Sequence, residues 1–137
     1  MNLIICIDIN NGMMFNNRRQ SRDKMLIKHI LNLTGDKRLW ITNFSKDLFE
    51  NNENMNLNID DNFINKIEKD EYCFVENIEP NILIDKVDRI IVYNWNRDYP
   101  ADVYFNMETD KWILETEKEI KGSSHEGIIE KIYRRRK

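Results

Sequence analysis

The sequence predicts an α/β fold built on a mostly parallel central sheet, with an antiparallel hairpin added at the C-terminal end. Two observations carry this prediction. Apolar, strand-like runs alternate with helix-like segments as far as residue 95. Beyond it, strand-like runs succeed one another with only Gly122-Ser123-Ser124 as a break. A length of 137 residues, without an internal repeat or a linker, suits one domain spanning 1–137.

Each element has a local reason. Residues 3–9, LIICIDI, are short, apolar and β-branched, and Asn10-Asn11-Gly12 ends them, which predicts a buried strand. Residues 13–20 are expected to form a loop. Ser21 is a favourable N-cap, Leu26, His29, Ile30 and Leu33 recur at helical spacing, and Gly35 stands where a C′ residue belongs. A helix is therefore predicted over 22–33. RLWITNF, 38–44, predicts a second strand, and Ser45 can cap a short helix through Phe49. The asparagine-rich run 50–58, ENNENMNLN, predicts a loop leading to a short strand. Asp60 or Asp61 can cap a helix over 62–69 whose apolar stripe is Phe63, Ile64 and Ile67. YCFVEN, 72–77, predicts a third strand, and Glu79-Pro80 opens another helix, since proline fits the first helical position. RIIVYNW, 89–95, is a strand, and DVYF, KWILETEKEI and GIIEKIYRR predict three more.

Composition narrows the function. Hydrophobic content of 41% with 33% charged residues is that of an ordinary globular protein. A net charge of −3 argues against general nucleic-acid binding, and the basic tail Tyr133–Lys137 reads as a solvated terminus. Cys6 and Cys73 lie inside apolar runs, which predicts buried free thiols, and their spacing fits no metal motif. Two histidines, His29 and His125, do not suffice for a histidine-rich metal site, so no metal and no metal-dependent hydrolysis is expected. No run is long and apolar enough to span a membrane and the N-terminus lacks a basic signal region, which makes the cytoplasm the default location. Trp40, Trp95 and Trp112 sit in strand-like runs and are expected to pack.

Six strings, taken in order, resemble dihydrofolate reductase over nearly the whole chain, in a shortened form. LIICIDINNGMMFNN is similar to that family's first strand and the loop after it. SRDKMLIKHI resembles the start of its first helix, where an acidic residue faces the pterin ring; Asp23 falls on that position. RLWITNFSKDLFE resembles its second strand and the segment that opens a helix onto cofactor phosphate. YCFVENIEP resembles the strand before a Gly-Gly turn. DRIIVYNWNRDYPADVYF resembles a late strand and the segment after it, and KWILETEKEI with SSHEGIIEKIYRR resembles the final hairpin. The resemblance implies a three-layer α/β fold and a pocket in which Asp23 is the catalytic carboxylate. It places Cys6, Met13 and Tyr93 at that pocket, and Thr42, Asn43, Ser45, Glu76 and Asn77 at the cofactor.

The departures from the family pattern are as informative. Gln20-Ser21 stands near the place of the family's Pro-Trp, and Met14 replaces the loop's second glycine. Thr42-Asn43-Phe44-Ser45 replaces a phosphate-binding Gly-Arg-x-Thr, and Glu76-Asn77 replaces the Gly-Gly turn. A diphosphate needs close approach to backbone N–H groups, which side chains hinder, and a glutamate repels it. NADPH is thus expected to bind badly or not at all. Asp23 reads in two ways: as a pocket carboxylate, or as an acid favoured in a first helical turn by the helix dipole. Arg18, Arg19 and Arg22 read as a guanidinium cluster for a phosphate or carboxylate, or as a solvated loop paired to Asp8 or Asp23. In Ser123-Ser124-His125-Glu126, serine and histidine are too close in sequence to make a nucleophile–base pair, and a turn before the last strand explains them better.

These readings leave three functions. The first is a protein of this fold that binds a small anionic or nucleotide-like ligand and is not a competent reductase. The second is an active NADPH-dependent reductase of a pterin-like substrate. The third is a non-enzymatic interaction module.

Overall fold

The structure, a computed structural model, describes residues 1–52 and 54–137. Among the described residues, ten strands and one α-helix form in chain order: β1 (Asn2–Ile7), β2 (Gly12–Phe15), β3 (Arg18–Arg19), α1 (Lys24–Thr34), β4 (Leu39–Ile41), β5 (Leu57–Ile59), β6 (Tyr72–Phe74), β7 (Arg89–Asn94), β8 (Val103–Tyr104), β9 (Trp112–Ile120) and β10 (Ile128–Arg135). Seven of them make the central sheet in the order β5-β4-β6-β1-β7-β10-β9. Its first five strands run parallel, and β10 joins β7 and β9 antiparallel, the architecture the sequence predicts.

β1 sits at the centre, so both of its faces are buried. Leu3, Ile5 and Ile7 enter one core, and Ile4 enters the other. Helix α1 covers the second face with Leu26, Ile27 and Ile30. The first face is covered by Met13 and Met14 of β2, by Phe63 and by Leu83 and Val87. That makes three layers, with the sheet in the middle.

Several local expectations change. The segment 13–20 is not a loop. Asn16 and Asn17 take φ of 51° and 59°, and Phe15 pairs with Arg18 across them. Two left-handed residues form the tight turn whose twist suits a hairpin, and asparagine tolerates that conformation well. β8 adds to β2, giving a small second sheet ordered β3-β2-β8. The helix expected over 62–69 shrinks to one 3-10 turn, Phe63–Asn65. There Asn62 donates to Asp60, and Asn65 donates to Asn62; such short polar side chains compete with helical backbone bonding. The helix opening at Pro80 becomes two 3-10 turns, Pro80–Ile82 and Ile84–Lys86, and Ile82 projects outward, 75% exposed. The segment after Thr42 is also a 3-10 helix, Asn43–Phe49, which starts two residues before Ser45. Within the asparagine-rich run, Leu57 begins a strand as expected; residue 53 lies outside the described residues.

The basic tail is tied down. The Arg135 guanidinium lies 4.6 Å from the Trp112 ring centre and donates to the Val87 carbonyl, and Arg136 donates to the Asp110 carbonyl. Among the described residues, no helix is long and apolar enough to cross a membrane.

Candidate functional site

Asp23, rather than Ser21, caps α1. Its backbone is extended (φ −154°, ψ 125°), and its Oδ1 accepts the Met25 and Leu26 N–H groups at 2.9 and 3.1 Å. A carboxylate reaches those donors better than a hydroxyl two residues earlier. The same side chain also binds the turn between β9 and β10. The backbone N–H groups of Ser123 and Ser124 donate to it at 2.9 Å each, both serine hydroxyls donate to it, and His125 Nδ1 lies 3.1 Å from Oδ2. Burial by itself would raise its pKa. The donors of Ser123, Ser124, His125 and Leu26 outweigh that and hold the carboxyl well below the usual range. Gly122 makes this closure possible, because a Cβ there would stand 2.4 Å from Asp23 Oδ2.

The arginines find acids the sequence hides. Arg19 Nε and Nη2 meet both oxygens of Glu76 at 2.8 and 3.1 Å, and its Nη1 and Nη2 meet both oxygens of Asp47 at 2.9 Å. Arg19 therefore pairs with neither Asp8 nor Asp23; the parallel sheet brings the end of β6 against β3 instead. Asp8 is occupied by the N–H groups of Asn10, Gly12 and Tyr99. Ser45, fully buried, donates to Glu76 Oε1 at 2.7 Å. Thr42 Oγ1 donates to Asn77 Oδ1 at 3.4 Å, and the Asn43 N–H donates to Asp61 at 2.8 Å. Arg22 lies 3.6 Å from Asp47 with its side chain 61% exposed, and Arg18 has no ion-pair partner among the described residues.

Behind these groups, between α1 and the sheet, lies a cavity of about 20 Å³ lined by Cys6, Met13, Leu26, Phe74, Glu76 and Trp95. That is room for about one water molecule. Burial, with the Glu76 charge, pushes the Cys6 thiol far above its ordinary range, and burial pushes Cys73 up to about 12. Neither is a nucleophile at neutral pH. Tyr93 makes its polar contact elsewhere: its hydroxyl donates to the buried Glu130 at 2.9 Å, and His29 Nε2 meets the same oxygen at 2.6 Å.

Outside the cavity an open groove of about 640 Å³ is lined by Arg18, Arg19, Ser21, Arg22, Phe44 and His125, with Asp47 on its wall. The structure thus brings Arg18, Arg19 and Arg22 together there, and keeps Tyr93 and Cys73 apart from them. Several groove residues were not singled out by sequence as ligand contacts, among them Phe44, Asp47, Ser21 and His125. Ser21 Oγ lies 2.8 Å from His125 Nε2, which the Tyr99 hydroxyl also approaches at 3.2 Å. Only a contact between residues 104 positions apart reveals this pair. Among the described residues, no three His, Cys, Asp or Glu side chains are placed to hold a metal ion.

No protein-family model matches the sequence, and no curated protein matches it significantly. Among solved structures it is similar to a dihydrofolate reductase from Enterococcus faecalis complexed with NADP(H) and RAB-propyl. The TM-score is 0.71 at 10% identity, over 99% of this chain and 96% of that one. At that identity the likeness concerns the fold. The chain therefore has the dihydrofolate reductase-like fold along nearly its whole length, as the order of its sequence strings implied.

Proposed function

We propose that this chain binds a small anionic, nucleotide-like ligand in the arginine-lined groove and does not act as a dihydrofolate reductase. One contrast carries the reading. Inside, Asp23 already accepts hydrogen bonds at both oxygens beside a cavity of about 20 Å³, whereas outside, Arg18 and the loosely held Arg22 line a groove of about 640 Å³. Exposed guanidinium groups favour phosphate and carboxylate through paired N–H donors, and Phe44 offers a ring against which a base can pack.

The residues that the resemblance places at the coenzyme do not fit NADPH. Glu76 is a buried anion where a diphosphate would need bare backbone, and it is held there by Arg19 and Ser45. The Asn43 N–H, at the head of its 3-10 helix, is already taken by the chain's own Asp61. An anion that would compete with Glu76 and Asp61 meets repulsion rather than a cradle.

Calorimetric titration with ADP and with NADPH tests this. ADP is expected to bind with an affinity that falls with salt and drops roughly tenfold in Arg18→Ala. NADPH is expected to bind no more tightly than ADP, with no dihydrofolate-dependent oxidation. Tight NADPH binding with turnover would establish instead the reductase reading, which the likeness to an NADP(H) complex supports.

A further inference from the structure

Ser21, His125 and Asp23 form one hydrogen-bonded chain on the wall of the groove. His125 Nδ1 stands 3.1 Å from Asp23 Oδ2, and His125 Nε2 stands 2.8 Å from Ser21 Oγ. Asp23 as a carboxylate only accepts, so Nδ1 carries the ring proton and Nε2 presents its lone pair to the Ser21 hydroxyl. That is the order of nucleophile, base and orienting carboxylate, recognised by geometry rather than by position in a sequence. The ring is fixed on its other sides too. Trp95 packs against it with ring centres 4.7 Å apart, and Ser124 Oγ lies 3.0 Å from Nδ1. Ser21 is half-buried and lines the groove with His125, while Asp23 is sealed behind them. Arg22 comes directly after the serine; its backbone N–H has no acceptor among the described residues, and its guanidinium lines the same groove.

We propose that Ser21 is a nucleophile activated by His125 as general base, and that the groove hydrolyses a small carboxylic ester bearing an anionic group. The anionic part of this substrate class rests on the ligand reading above; the nucleophile does not. Ser21 Oγ attacks the ester carbonyl carbon while its proton passes to His125 Nε2. Arg22 is the donor adjacent to the oxyanion that forms. The carbon–oxygen bond to the alcohol then breaks, and His125 returns the proton to the leaving oxygen. Water attacks the acyl-serine, again giving its proton to His125, and release of the acid restores Ser21. Ester and water become acid and alcohol, with no change of oxidation state. Asp23 is a positioning residue that holds the ring and its tautomer.

The test treats the folded protein with a neutral alkyl fluorophosphonate and locates the adduct by peptide mass spectrometry. Ser21 Oγ displaces fluoride from phosphorus as His125 takes the proton. One adduct on Ser21 is expected, absent in Ser21→Ala and at least about 100-fold slower to form in His125→Gln. The labelling rate should rise with pH, as base-assisted attack requires. Asp23 and Tyr99 meet that ring directly, and Arg18, Arg19, Arg22 and Asp47 are the charged groups that line the groove with it. Asp23→Asn should slow labelling and displace the pH profile, which a merely structural role would not do. If His125→Gln does not fold, the profile of the unaltered protein decides: a flat profile, or an adduct elsewhere, overturns the proposal. Hydrolysis of para-acetoxybenzoate should exceed that of neutral phenyl acetate, with the preference lost in Arg18→Ala. Labelled Ser21 without ADP binding or that preference would refute the anionic substrate alone. ADP binding with Ser21 unlabelled would refute the nucleophile and leave the ligand reading standing.

Discussion

Gly122 lies so close to Asp23 that a single methyl group has no place between them: a Cβ would stand 2.4 Å from Asp23 Oδ2 and 2.7 Å from the His125 carbonyl oxygen. The turn between β9 and β10 closes around the carboxylate only because residue 122 lacks a side chain. Gly122→Ala is expected to destabilise the fold by about 1–3 kcal/mol, since overpacking forces neighbours apart. Urea denaturation should show a lower midpoint with an unchanged slope.

Asp23 also sets an acid limit on stability. Its folded pKa is depressed, so its contribution is fully present above the unfolded carboxyl value of about 4 and is lost as pH falls below that. Thermal unfolding followed from neutral pH down to about pH 2 should show Tm falling through this window. Asp23→Asn should lower Tm at neutral pH and flatten the acid decline. An unchanged slope in the variant would assign the acid sensitivity to other carboxylates.

The Arg19–Glu76 pair predicts strong non-additivity. Glu76 is buried and bonded by Arg19 and Ser45, so Arg19→Met leaves an uncompensated charge and should cost about 3–5 kcal/mol. Replacing both partners, Arg19→Met with Glu76→Leu, should recover most of that loss, because no buried charge remains. A double-mutant cycle in urea measures the coupling. Additive losses would mean that solvent reaches Glu76 readily.

Much of the architecture was legible because strand and helix patterns are local. The apolar runs around Ile4, Ile91 and Ile132 and the helical spacing of Leu26 and Ile30 each depend on neighbours within one turn or one strand. Their order then limits the topology, since parallel strands need crossovers and consecutive ones form hairpins. Segments 62–69 and 79–86 defeated the same reasoning: in the first, the Asn65 side chain bonds Asn62 in competition with helical backbone bonding, and in both a single residue, Phe63 or Leu83, reaches the core without a full helix.

What the sequence determined by itself was therefore the mostly parallel sheet, its buried first strand, the helix α1 and the closing antiparallel strands. Only the tertiary structure decided what the polar groups do. It gave Arg19 its acids from Asp47 and Glu76, made Asp23 a cap and a clamp at once, and set Ser21 against His125 from 104 positions away. The physical reason is that burial pattern is written along a chain, whereas a hydrogen bond needs its partner within about 3 Å in space, and spacing along the chain does not tell which distant residue that partner is.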